Sequence, residues 1–340
     1  MSQNPPVTQA LPADHAGPPG LDLGRLRPYL EERGLTSGPI QAEVFHGGRS
    51  NLTYLVHDGT RRYVVRRPPL GHVLATAHDM AREYRVMTAL RGTGVPVPVT
   101  HALCQDEKVI GAPFYVMECV AGAVLTPGSP RFLGQPLTLD ADDPIRKIVL
   151  DLTDVLARLH SLDYDELGLG DFGRPDGYLE RQVRRWKRQL DSSRSRDVSG
   201  IDELSARLAA ELPRSGPAAI VHGDFKLANT LVADDGRIAA VVDWEMSTLG
   251  DPLTDLALFL LYSRSEGYPE GLVERYAEVS GRDVSRLGWY LGFACFKLAV
   301  ISEGIYYRYI QGLTVGKGFE LIGDQVAPLV AQGLTALQEN

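Results

Sequence analysis

Residues His222-Gly223-Asp224-Phe225-Lys226-Leu227-Ala228-Asn229, followed by Asp243-Trp244-Glu245 and Gly250-Asp251-Pro252, combine the group types that phosphoryl transfer requires. That chemistry asks little covalent participation of a protein. It needs a carboxylate to orient the attacking hydroxyl and take its proton, and an amide with a second carboxylate to hold magnesium. Asp224, Asn229 and Asp243 supply those groups in that order. Glu245 is placed to add a contact to the metal or its ligands, whereas His222, Asp251 and Asp255 are better suited to bracing the loop through hydrogen bonds.

The intervening residues say how these side chains can meet. Residues 218–221 form an apolar run into the loop, residues 230–232 read as a strand, 234–236 as a turn and 238–242 as the returning strand. Asn229 precedes one arm of this hairpin and Asp243 follows the other. Antiparallel pairing therefore sets their backbones about 5 Å apart. Either tripeptide alone would be an ordinary loop; the ordered set at hairpin spacing is specific.

The pattern His222-x-Asp224-x-x-x-x-Asn229 resembles the catalytic loop of protein kinases. The glycine at 223, the Asp243-Trp244-Glu245 triplet and the run Gly250-Asp251-Pro252-Leu253-Thr254-Asp255-Leu256-Ala257 are similar instead to the aminoglycoside phosphotransferase and choline kinase-like group. Within that group the chain most resembles the kinase-like domains associated with acyl-CoA dehydrogenases, over about residues 40 to 320. The resemblance implies an α+β, bilobal protein kinase-like fold. A small antiparallel-sheet N-lobe is expected over 21–121 and a larger, mostly helical C-lobe over 122–340, after a disordered tail at 1–20. It further implies ATP and Mg2+ as cofactors, a small-molecule hydroxyl acceptor and an acyl-CoA dehydrogenase as a functional partner.

Upstream residues fit a nucleotide lobe. Residues 42–45, 46–51 and 52–57 read as strand, glycine turn and strand, with backbone amides around Gly47, Gly48, Ser50 and Asn51 free to cover phosphates. In the strand at 63–66, alternation puts Val64 and Arg66 on one face. The resemblance places Val64 against adenine and Arg66 where related enzymes carry a phosphate-binding lysine. The charge is kept but the guanidinium fork differs from a point-like ammonium, and the register of Arg66 against Arg67 is open. Residues 79–90 have the Met80, Met87 and Leu90 spacing of an amphipathic helix, from which Glu83 is the natural partner of Arg66. Residues 114–122 are an apolar strand breaking into a glycine-containing linker that resembles the hinge of kinases. There adenine would meet Met117 and backbone atoms of Glu118 and Val120.

The 340 residues are 44% hydrophobic and 23% charged, enough to bury a large core. A net charge of −8 argues against nonspecific nucleic-acid binding. Cys104, Cys119 and Cys295 form no paired scaffold and show no zinc spacing, as expected of a reducing, cytoplasmic setting. The first twenty residues lack the apolar core of a signal peptide. Residues 289–310 are interrupted by Lys297, Glu303 and Arg308, which predicts a buried helix rather than a membrane span. Asp143-Pro144 opens a periodic segment through Ile145, Val149, Leu152, Leu156 and Leu159, ending at His160, expected to be structural.

Arg181, Arg184, Arg185 and Arg188 recur at helical spacing and give one cationic face in an acidic protein. Such a face could receive an anionic acceptor, a hydroxy acid or hydroxyacyl-CoA, or could simply be solvated and paired with Glu180 or Asp191. A polycationic aminoglycoside prefers carboxylates. The alternatives are an aminoglycoside or amino-alcohol kinase, or a non-catalytic nucleotide-binding regulatory protein. A protein kinase is disfavoured, because seven residues between Asp243 and Asp251 leave no room for a peptide-docking segment.

Overall fold

The computed structural model describes residues 17–45, 51–71, 79–125, 131–132, 135–136, 144–265, 270–313 and 318–339. Gly47, Gly48 and Ser50 of the expected phosphate loop lie outside them, as do Asp143 and most of the expected N-terminal tail. The chain divides into two compact units, residues 1–84 with 99–119, and residues 85–98 with 120–340. Residues 85–98, expected with the N-lobe, thus belong to the second unit.

The first unit opens with helix α1 (Leu23–Glu32), whose N-cap Asp22 accepts the Arg25 amide. Strands β1 (Gln41–Val44), β2 (Leu52–His57) and β3 (Arg62–Arg67) follow, then α2 (Met80–Leu90), begun by the Asp79 carboxylate on the Arg82 amide, and β4 (Thr100–Cys104) and β5 (Phe114–Glu118). The sheet order is β1-β2-β3-β5-β4, antiparallel throughout. Alternation along β3 sends Val65 into a core with Leu26, Leu30, Tyr54, Phe114 and Val116. Arg67 follows that face and is spent on structure: its Nη1 donates to the carbonyls of Gly20, at 2.6 Å, and Ile110, at 2.9 Å. The Tyr54 hydroxyl donates to the Pro19 carbonyl at 2.6 Å, so residues 19 and 20 are held on the sheet rather than forming part of a tail.

The second unit contains β6 (Ala123–Val124), the short hairpin β7 (Arg131–Phe132) and β8 (Gln135–Pro136), and helices α3 (Pro144–Ser161), α4 (Tyr178–Ser193) and α5 (Ile201–Ala210). Then come β9 (Ala219–Val221), β10 (Thr230–Val232), β11 (Ile238–Val241), β12 (Thr248–Gly250), α6 (Leu253–Ser265), α7 (Leu272–Ser280), α8 (Leu287–Ile310) and α9 (Val326–Ala336). The periodic residues of α3 are buried as their spacing predicts, with Ile148 and Val155 completing the stripe. Helix α8 is the centre of this unit. Its first eighteen residues are almost wholly buried against α4, α5, α6 and α9. Glu303, fully buried on it, accepts from the Ser195 amide and hydroxyl and from Arg196, which satisfies the charge. Among the described residues no helix is long and apolar enough to cross a membrane.

Candidate active site

Two antiparallel pairs build the site. Strand β9 pairs with β12, Val221 opposite Thr248, while β10 pairs with β11, Thr230 opposite Val241. The loop carrying His222, Gly223 and Asp224 leaves β9, and a 3-10 turn at Leu227–Asn229 delivers it into β10. After β11 the chain passes through Asp243 and the 3-10 turn Trp244–Met246 back to β12. The Val242 amide donates to the Asn229 carbonyl at 2.9 Å. Asn229 therefore faces Val242, one residue short of the expected Asp243, because the strands pair Thr230 with Val241.

At the centre, the Lys226 ammonium donates to Asp224 Oδ2 at 2.6 Å and the Asn229 amide nitrogen to the same oxygen at 3.0 Å. Among the described residues Asp224 Oδ1 receives no hydrogen bond. The Asn229 Nδ2 also donates to the Asp224 backbone carbonyl at 2.9 Å. With its nitrogen committed, Asn229 presents Oδ1 as an acceptor or ligand. Asp243 is the single non-glycine residue at positive φ among those described, 69°. Asp tolerates this left-handed region at some cost, and such cost concentrates at functional positions.

A carboxylate and an amide oxygen brought to one hairpin fit magnesium, which takes oxygen donors, keeps several waters and relies on substrate phosphates for the rest of its shell. Asn229 and Asp243 are the residues that could hold it.

Gly223 is required sterically. Its φ is +88°, and a Cβ there would lie 2.7 Å from both Cβ and O of Met246. The loop and the Asp243 turn are thus packed backbone to backbone, which explains why this position departs from the protein-kinase pattern.

His222 links the same two segments. Its Nδ1 accepts the Asp224 amide at 3.2 Å, which leaves the proton on Nε2 to donate to the Val242 carbonyl at 3.1 Å. Its ring packs on Trp244 with centroids 4.6 Å apart. From the start of α6, Asp255 accepts the His222 amide at 2.5 Å and the Gly223 amide at 2.8 Å. His160 Nε2 lies 3.4 Å from Asp255, and its Nδ1 takes the Tyr276 hydroxyl at 2.8 Å. Asp251 caps α6 through the Leu253 amide and accepts the Tyr290 hydroxyl at 2.8 Å. Glu245 is half-buried on the 3-10 turn after Asp243.

Burial pushes both His160 and His222 below the ordinary imidazole value, although Asp255 pulls each of them up. Burial would raise the Asp255 carboxyl, but the His160 hydrogen bond, the histidine charges and the Gly223 amide outweigh it and hold it below the usual carboxylate range. The signs combine in one direction. An imidazole with a depressed folded value gives full stability above about pH 6.5 and loses it as pH falls, because the unfolded chain takes up the proton first. The depressed Asp255 extends the loss below about pH 4. Urea unfolding is expected to show stability falling as pH is lowered from 7.5 to 5.5, by on the order of 1 kcal/mol per buried histidine. His160→Gln should remove one such share, and a flat profile over this range would contradict the assignment.

In the first unit, Arg66 Nε lies 3.3 Å from Glu83 Oε2, with both side chains nearly excluded from solvent. The pair is ionic rather than a well-aligned hydrogen bond. This settles the register of β3 in favour of Arg66. Val64, Met117 and Asn51 are buried. The Glu118 amide is donated to the Val99 carbonyl at 2.8 Å, so it is not available to a base.

The four arginines of α4 do not act as one face. Arg181 donates to the carbonyls of Asp176 and Arg174, fastening the start of the helix, and Arg184 pairs with Glu180 one turn away. Arg188 is exposed without an ion pair among the described residues. Arg185 lies over the Trp186 ring at 5.5 Å. What the motif reading missed is Lys297 on α8, whose Nζ donates to the Gly223 carbonyl at 2.9 Å. Burial pushes its ammonium below the usual lysine range, with Asp224 and Asp255 opposing and Arg185 and Lys226 adding to the shift. Its only sequence signal was a charge interrupting an apolar helix.

Residues 41–290 match the Phosphotransferase enzyme family. Acyl-CoA dehydrogenase family member 11 of Mus musculus is 36% identical over 92% of the chain, which spans 43% of that relative's length. A crystal structure from Ralstonia eutropha jmp134 superposes with TM-score 0.79 at 31% identity, covering 93% of this chain and 98% of its own. The aminoglycoside phosphotransferase APH(4)-Ia, solved with ADP and hygromycin B, shares the fold at TM-score 0.57 and 16% identity, over 92% of this chain and 98% of that one. The site geometry and the match over most of its length agree: the chain belongs to the phosphotransferase enzyme family and has its protein kinase-like fold.

Proposed function

We propose that the protein is an ATP-dependent small-molecule kinase that moves the γ-phosphoryl group to an acceptor hydroxyl. The observation that carries this reading is the cluster at Asp224: Oδ2 fixed by Lys226 and Asn229, Oδ1 left without a partner among the described residues, and Asn229 bonded across the hairpin to Val242, next to Asp243. Asp224 orients the acceptor hydroxyl and takes its proton as the oxygen bonds to phosphorus. The bond to the bridging oxygen breaks and its electron pair leaves with ADP. Asn229 and Asp243 would hold Mg2+, which neutralises phosphate charge when bound. Arg66, steadied by Glu83, would meet the phosphates, together with the segment Gly47, Gly48, Ser50 and Asn51. Val64, Met117, the Glu118 carbonyl and Val120 would receive adenine.

The acceptor is a hydroxy acid or hydroxyacyl-CoA. Support comes from the relatives named acyl-CoA dehydrogenase, of which this chain spans about two fifths, and an acyl-CoA dehydrogenase is the functional partner this suggests. The test is 31P NMR of the protein with ATP, Mg2+ and individual acceptors. A phosphomonoester growing in step with ADP is expected; ATP cleavage to inorganic phosphate alone, whatever the acceptor, would overturn the reading.

A further inference from the structure

Lys297 occupies a costly position. It lies mid-way along α8 among buried Phe293, Ala294, Phe296 and Val300, and no carboxylate comes within ion-pair distance of it among the described residues. Lys297 is half-buried there, and a cation drawn partly out of water is unfavourable unless it is compensated. Its one hydrogen bond among the described residues, to the Gly223 carbonyl, uses one of three ammonium protons. The Trp186 ring lies 5.7 Å from Nζ and helps to fix the side chain. Lys226 is held similarly over Tyr262 at 5.2 Å, but its ammonium is already committed to Asp224. Arg185 and Lys226 both repel Lys297 electrostatically, while Asp224 attracts it. Asp255, the other carboxylate acting on Lys297, is engaged by the His222 and Gly223 amides. Lys297 thus keeps ammonium protons that no carboxylate among the described residues takes.

We infer that Lys297 is a specificity-determining residue that receives a carboxylate carried by the acceptor whose hydroxyl Asp224 orients. This rests on the phosphotransferase reading and gives it a substrate feature: an anionic oxygen group near the phosphorylated hydroxyl. Arg185 adds a longer-range attraction. A cationic aminoglycoside would meet like charge here.

The test titrates the full chain, loaded with Mg2+ and ADP, with hexanoates bearing a hydroxyl at C2, C3 or C4 and with the primary amide of each, by calorimetry. For at least one hydroxyl position the acid is expected to bind at least about tenfold tighter than its amide. That preference should fall below about threefold in Lys297→Met and survive in Lys297→Arg, with ATP affinity changed less than about twofold in both. Lys297→Gln, which can still reach the Gly223 carbonyl, serves if the methionine variant unfolds. Absence of acid binding or of an acid preference in the wild type, a preference that survives loss of the charge, or a larger effect on ATP than on the acid would each overturn the inference. An acid preference dependent on Lys297 without phosphoryl transfer to any acceptor would count against the phosphotransferase reading alone. Transfer without an acid preference would count against this inference alone.

Discussion

Asp224→Asn is expected to lower kcat by about 10³- to 10⁴-fold while leaving Mg·ATP affinity within about twofold. The substitution keeps size and one oxygen, and the contacts from Lys226 and Asn229 are made at a single atom, Oδ2. What it removes is the negative charge that attracts and accepts the hydroxyl proton. Gly223 and His222 stay fixed through Asp255 and Val242, so the loop keeps its path. The effect should therefore appear in turnover and not in nucleotide binding, measured as steady-state rate beside equilibrium ATP binding. Equal losses in both would move Asp224 from the acceptor to the nucleotide.

Asp243→Asn is expected to weaken magnesium-dependent nucleotide binding by roughly 100-fold, at least as much as the loss of an outer-shell metal partner. Asparagine is the informative substitution because, like aspartate, it tolerates the φ of 69° found at this position. Alanine would add backbone strain and blur the comparison. The measurement is ADP affinity with and without Mg2+. The variant should lose the gain that the metal confers and match the wild type in its absence. An equal loss without metal would mean that Asp243 acts on the nucleotide or the fold instead.

Both predictions concern residues that local pattern made visible. The hairpin spacing from Asn229 to Asp243 is a matter of strand length and turn residues, and β10 and β11 do pair antiparallel, but one residue off the implied register, with Asn229 facing Val242 and an irregularity between Leu231 and Val232. The stripe of α3 and the burial of α8 followed from periodicity and composition for the same reason. Period-two alternation left Arg66 and Arg67 undecided, because both side chains are buried on opposite faces of β3; only the distant partners Glu83, Gly20 and Ile110 separate their roles. Helical spacing likewise grouped four arginines on α4, yet carbonyls at Asp176 and Arg174 and the carboxylate of Glu180 divert two of them. Lys297 was the hardest to read. Its partner Gly223 lies 74 residues away, and periodicity says which face of a helix is buried but not which carbonyl it meets. The steric reason for Gly223 was hidden similarly, since it lies in the approach of Met246.

The central claim is best tested by magnesium-dependent ADP release from ATP across hydroxy acids, hydroxyacyl-CoAs, amino alcohols and aminoglycosides, with Asp224→Asn in parallel. The account predicts release that depends on an anionic hydroxylated acceptor and is abolished in the variant. Acceptor-dependent release that persists undiminished in Asp224→Asn, or ATP binding with no release for any acceptor, would contradict it.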